Sequence, residues 1–333
     1  MRIGAINWDA VLPANTYFGG YALRTLGNEK YKSRLHFQTF RENGKYDFPH
    51  RTGEMYDREL QYAIDGGLDF FAYCWYPDSD EARNVCPENE QYEYLVPYYH
   101  ELNAARKLYQ SSKLNNKINM CAILLSCNAY AMSDIEALAD AMGESYYEKV
   151  DGKPLLILFG GYSMNFIKII REYLADRGIT PYIALVEDKQ NNEYEGVDAI
   201  TEYACGSGVE NFPMLNKISY EKNVGRLKYK LPVMPLMTAG WNPTPRIDKP
   251  SPWVSYDNVN YAGVPKMSDF VEGFSLLTKF VSENKEYANT DHALVFAWNE
   301  FEEGGYLCPT INEDGTVNDS VIKNFAGARK SII

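Results

Sequence analysis

Ala293-Leu-Val-Phe-Ala-Trp298-Asn-Glu300-Phe-Glu302-Glu303-Gly304-Gly305-Tyr306 runs from an apolar segment straight into three glutamates within four residues, interleaved with rings and closed by two glycines. Residues Ala293 to Ala297 carry Val and Phe, which is how a strand covered on both faces of a parallel sheet reads. A solvated loop end would explain the acids and the glycines. It would not explain Trp298 and Phe301, because large rings are seldom left beside charges without a use or a partner.

Seven earlier runs read as strands of the same kind: Arg2 to Trp8, Leu68 to Tyr76, Ile118 to Leu125, Pro154 to Phe159, Tyr182 to Val186, Val197 to Ala204 and Leu231 to Met237. Helical periodicity predicts helices over Thr52 to Asp65, Tyr92 to Tyr109, Ser133 to Tyr147, Met164 to Leu174, Leu215 to Tyr229 and Ser268 to Asn284. Thr52 is placed to cap the first of these and Gly66-Gly67 to stop it, and Ser133 with Glu136 reads as a capping box. The stretch after Trp8, to about His50, has no clear period and is expected to be a long insertion. Eight strands alternating with helices, without a composition break, predict one domain over residues 1–333: a (β/α)8 TIM barrel with long βα-loop insertions. A doubly wound open sheet is the alternative, but Asn7-Trp8-Asp9 is nothing like the Gly-rich phosphate turn that would follow its first strand.

In a barrel the loops after the strands converge on one mouth. That gathers Trp8, Asp9, Trp75, Tyr76, Asn128, Glu202, Tyr203, Trp241, Arg246, Asn299, Glu300, Glu303 and Tyr306 as candidate site residues. If the chain turns helically after the eighth strand, Glu300 and Glu303 lie on one side of it, with Cβ atoms about 5–6 Å apart. Two anions so close repel, so one of them is expected to hold its proton near neutrality. Paired carboxyls among rings suit glycoside chemistry, the rings stacking on sugar faces. Trp75, Trp241 and Tyr306 are expected to line sugar subsites.

Composition narrows the alternatives. The 33 basic against 45 acidic side chains give a formal charge of −12, which opposes nucleic acid and anionic membrane surfaces as partners. The 27 tyrosines are the oddity of the composition, suited to packing and to sugar stacking alike. His36, His50, His100 and His292 do not lie at the predicted strand ends, so no metal and no cofactor are expected. Gly160-Gly161 and Gly304-Gly305 lack the Lys-Ser/Thr of a phosphate loop and read as turns. The six cysteines, at 74, 86, 121, 127, 205 and 308, form no CxxC pair, and no structural disulfide is expected. No apolar run is long enough to span a membrane and no signal peptide precedes Ile3. The chain as written therefore reads as cytoplasmic, or as periplasmic or secreted if a signal was trimmed.

Ala297-Trp-Asn-Glu-Phe-Glu-Glu-Gly304, followed by Tyr306-Leu307 and Pro309, resembles the signature of the glycoside hydrolase family 99-like group. That group includes the bacterial WbsX-type proteins, which carry a glycosyltransferase label. Glu59 to Tyr76 resembles the helix and second strand of that group, and Gly240-Trp-Asn-Pro-Thr-Pro-Arg246 its loop after strand seven. The resemblance implies an eight-fold barrel and a metal-free, endo-acting retaining α-mannosidase type of activity on an oligosaccharide or polysaccharide. It also implies that Glu300 is the base on the substrate 2-hydroxyl and Glu303 the acid and base at the glycosidic oxygen. The chain departs from the hydrolase pattern at Phe301, where Trp is usual, and at Glu302, where the hydrolases place His. Glu302 is expected to face solvent or a neighbouring cation. A glycosyltransferase of polysaccharide assembly and a non-catalytic glycan-binding barrel are the rival readings. A sugar nucleotide, which the first of them needs, would call for more basic residues than this mouth offers.

Overall fold

The computed structural model describes residues 1–78, 90–125, 130–160, 162, 164–186, 194–206, 208–257, 260–288 and 290–332. Eight parallel strands form its centre: β1 (Arg2–Asn7), β2 (Phe70–Trp75), β3 (Asn119–Leu125), β4 (Lys153–Phe159), β5 (Tyr182–Val186), β6 (Ala199–Thr201), β7 (Leu236–Thr238) and β8 (His292–Phe296). Each pairs with its neighbour in sequence, and β8 returns to β1 with Arg2 opposite His292 and Ala5 opposite Val295. The circle closes between β6 and β7 through a parallel bridge of Ile200 with Val233 and an Ile200 C=O accepting from Met234 N–H at 2.9 Å. This is a (β/α)8 barrel, as the alternation of strands and helices predicted.

All six residues of β2 and all five of β8 are buried, which is why these strands read as continuous apolar runs rather than alternating ones. β7 is shorter than its apolar run suggests. Pro232 and Pro235 have no N–H to donate, so the ladder forms only from Leu236 onward. Similarly, β6 keeps three residues of the predicted eight.

The helices follow their periodicity with local corrections. In α1 (Tyr17–Leu26), inside the supposed insertion, Thr16 accepts from Gly19 N–H at 3.2 Å as an N-cap. Thr52 caps α2 (Gly53–Asp65) as expected, accepting from Met55 N–H at 3.3 Å. The predicted helix over Tyr92 to Tyr109 is a 3₁₀ segment, Glu90–Asn103, with Pro97 inside it, that becomes α-helical only in α3 (Ala104–Gln110). α4 (Met132–Gly143) begins one residue before Ser133, and the Asp134 carboxylate, not Glu136, accepts from Ala131 N–H at 2.9 Å. After α5 (Met164–Ala175) and α6 (Phe212–Gly225), the short α7 (Thr244–Asp248) lies in the loop after β7. α8 (Met267–Glu283) and α9 (Ser320–Ile332) pack together on the outside.

Candidate active site

Successive residues of a strand point to opposite sides, and this period sorts the candidates at the strand ends. Trp8 reaches the mouth, its Nε1–H donating to Tyr76 Oη at 2.8 Å and its ring lying 5.3 Å from the Arg246 guanidinium. Its neighbour Asp9 turns to the helical layer and pairs with Arg51. Tyr76 shares the mouth with Trp8, whereas Trp75 is buried against α3 with the Arg106 guanidinium 3.7 Å from its ring centre. Tyr203 donates to Glu300 Oε1 at 3.2 Å, whereas Glu202 is drawn away by Arg226 at 2.7 Å and Lys222 at 3.6 Å. Asp9, Trp75 and Glu202 are therefore not brought to the carboxylate cluster, in contrast to the expectation. Asn128 lies outside the described residues.

The cluster is built by two loops that touch. After β8, Asn299–Glu300 pairs antiparallel with Gly305–Tyr306, and the turn between them returns Glu303 N–H to Glu300 C=O at 3.2 Å. That turn meets the loop after β7 at two glycines. Gly240 (φ 153°) and Gly304 (φ 72°) both hold backbone conformations that side chains avoid, and a Cβ on Gly240 would stand 2.2 Å from Gly304 C=O. The contact brings Arg246, on α7, against all three glutamates. Its Nη1 bonds Glu303 Oε1, and its Nη2 lies 3.4 Å from Glu302 Oε2 and 3.7 Å from Glu300 Oε2. Tyr256 Oη–H donates to Glu303 at 2.6 Å. Asn299 ties the turn to β1, its Oδ1 accepting from Trp8 N–H and its Nδ2–H donating to Asn7, both at 2.9 Å. Around the cluster stand Trp241, packed against Tyr256 and Phe296, and Tyr306, packed against Phe301.

Arg246 and the three glutamates are all at most 6% exposed. Glu302 thus faces a cation rather than solvent. Burial pulls the Arg246 pKa down, but Glu303, Glu302 and Glu300 outweigh it and the guanidinium is held charged above its usual range. Glu300 is pushed well above the usual carboxylate value, first by burial and then by the Glu303 charge, with Arg246 opposing too weakly to offset them. Its Oε2 has no hydrogen-bond partner. Glu300 is the residue to which the resemblance gives the role of base.

A second buried cluster lies beside this one, at residues the sequence patterns do not single out. Glu59, on α2, accepts from Trp298 Nε1–H at 2.8 Å and from Arg51 at 3.0 Å, and His36 Nε2 lies 3.2 Å from it. Arg51 also holds Asp9. The sequence carried a sign of it, because Glu59 falls among Tyr56, Leu60 and Ala63 on the buried stripe of α2. His36, Glu59 and Cys308 have ligand atoms within 4.8 Å of one another. Arg51 already supplies the positive charge there, and burial followed by the Glu59 charge pushes the Cys308 thiol far above its usual value. The donor set therefore does not fit a cation. Cys74, Cys121, Cys205 and Cys308 are buried, and Cys86 and Cys127 lie outside the described residues. No described helix is long and apolar enough to cross a membrane.

No family model matches the chain, and no curated protein matches it. Among solved structures it is similar to a GH99 endo-α-mannosidase from Bacteroides thetaiotaomicron in complex with bis-tris-propane, with a TM-score of 0.50 at 12% identity over 99% of this chain and 97% of that one. A second GH99 endo-α-mannosidase structure from the same organism superposes with a TM-score of 0.51 at 11% identity over 84% of this chain and 80% of that one. The likeness is one of fold, a (β/α)8 barrel.

Proposed function

We propose that this protein is a retaining glycoside hydrolase acting on α-mannoside-like linkages in an oligosaccharide or polysaccharide. The observation that carries the reading is the burial of Glu300 and Glu303 together at the end of β8, around one guanidinium and among Trp8, Tyr76, Trp241 and Tyr306. Two carboxyls held to one guanidinium suit the retaining spacing of about 5–5.5 Å better than the roughly 6.5–9.5 Å that makes room for an inverting water. The α-mannosidase activity of the similar barrels supports the choice of linkage.

The pair needs one proton donor and one base. Burial and the Glu303 charge raise the Glu300 pKa, so Glu300 gives its proton to the glycosidic oxygen as that bond breaks. Glu303, bonded by Arg246 and Tyr256, takes the proton of the substrate 2-hydroxyl, whose oxygen displaces the leaving group at the anomeric carbon, and water then opens the ring so formed at that carbon. This order is the reverse of the one the resemblance implies. The test is a panel of α-mannosides and bacterial polysaccharides incubated without nucleotide and read by product chromatography. Release of shorter glycans is the expected result. Transfer that requires a sugar nucleotide, or binding without cleavage, would replace the hydrolase by the transferase or the binding barrel.

A further inference from the structure

Three carboxylates meet one guanidinium, and they do not share it evenly. Glu303 takes Nη1, while Glu302 and Glu300 both face Nη2, at 3.4 Å and 3.7 Å. Only the first of these two is within hydrogen-bond reach, and Glu300 Oε2 is left without a hydrogen bond. The remaining groups around Glu300 are few. Tyr203, from the segment after β6 and itself 3.6 Å from Cys74 Sγ, donates to its other oxygen, and Tyr256 bonds Glu303 rather than Glu300. Glu302 rather than Glu300 thus draws Nη2 to itself, and it also adds a like charge beside Glu300.

We propose that Glu302 is a positioning residue of the pair: by holding Arg246 Nη2 and setting a third carboxylate next to Glu300, it disfavours the ionised form of Glu300. Its purpose rests on the glycosidase reading above, although its electrostatics do not. Replacing Glu302 with Gln removes the charge at constant shape and frees Nη2 to turn toward Glu300. Both changes favour ionised Glu300.

The experiment is a pH titration followed by ¹³C NMR of protein carrying carboxyl-labelled glutamate, with the Glu300 resonance identified by its loss in Glu300→Gln. Glu302→Gln should lower the Glu300 midpoint by about one pH unit or more, the scale of a close charge. Glu302→Asp, which keeps the charge, should leave the midpoint nearer to wild type. If Glu302→Gln does not fold, Glu302→Leu removes the same charge with an apolar side chain suited to the burial. An unmoved midpoint in the neutral variant, or an equal shift in Glu302→Asp, overturns the proposal. A lowered midpoint in a protein that cleaves no glycan sinks the glycosidase reading and leaves this one standing, whereas an unmoved midpoint in an active enzyme does the reverse.

Discussion

The two buried carboxylate–arginine clusters of this barrel use the same residue types to opposite ends. Around Glu59, an arginine, a histidine and an indole N–H all converge on one carboxylate, and although burial works to raise its pKa, Arg51, His36 and Trp298 hold it down at about 2. Around Arg246, three carboxylates compete for one cation, and Glu300 is left pushed up with an oxygen unbonded. A carboxylate satisfied by its donors, as Glu59 is, holds a fold together, and one left unsatisfied is where proton chemistry is at hand; Asp9, on the other side of Arg51, also keeps an unbonded Oδ1. The two are joined physically. Trp298, anchored by Glu59, directly precedes Asn299–Glu300, and His36 stands edge-on to Phe301 at 6.0 Å. The first cluster therefore holds in place the turn that carries the second.

Breaking the satisfied cluster should have the largest effect. Glu59→Gln takes away a buried charge that Arg51 needs, and should cost about 3–5 kcal/mol of stability in denaturant unfolding. A loss below about 1 kcal/mol would mean that the network does not anchor the turn. Glu300→Gln, which removes no hydrogen bond to Arg246, should unfold within about 1 kcal/mol of wild type. Glu303→Gln takes the partner from Arg246 Nη1 and should cost more than that. Each should lose on the order of 10² or more in kcat on the natural glycan. An activated leaving group, which needs little protonation, should rescue Glu300→Gln rather than Glu303→Gln. Rescue of Glu303→Gln instead would return the acid role to Glu303.

The smallest effect is a difference in sign with pH. The Glu59 pKa is lowered on folding, so its contribution is present above its ordinary value of 4.5 and fades as pH falls toward about 2. The Glu300 pKa is raised, so its contribution is full below 4.5 and is lost as pH climbs toward its folded value. Relative to wild type, Glu300→Gln should therefore gain stability as pH rises above 4.5, whereas the deficit of Glu59→Gln should shrink as pH drops below it. Parallel pH curves for the two variants would erase the distinction between the clusters.

The barrel was legible in the sequence because strands buried on both faces must be apolar throughout, and eight such runs stand out at Ile3, Phe70, Met120, Leu155, Ile183, Ala199, Leu236 and Leu294. The ends of those strands were less legible. Proximity to a strand end nominates both members of Trp8 and Asp9, Trp75 and Tyr76, and Glu202 and Tyr203, although the two-residue period of a strand admits only one of each pair to the mouth. Counted from Phe70, that period puts Tyr76 inside and Trp75 against the helices. α1 escaped because two glycines dilute its apolar stripe, and Tyr256 because a loop residue's partner is set by a chain path that no local pattern encodes. Arg51 and Glu59 were hidden for the same reason, since their pairing spans separate elements that only the closed barrel brings together.

The retaining pair at Glu300 and Glu303 is tested most directly by the anomeric configuration of the first sugar released, followed by ¹H NMR before mutarotation equilibrates it. Cleavage of an α-mannoside should yield the α-anomer first, as expected when two closely spaced carboxyls work in two successive displacements. A β-anomer appearing first would mean a single inverting displacement, and would contradict the assignment of Glu300 and Glu303 as a retaining pair.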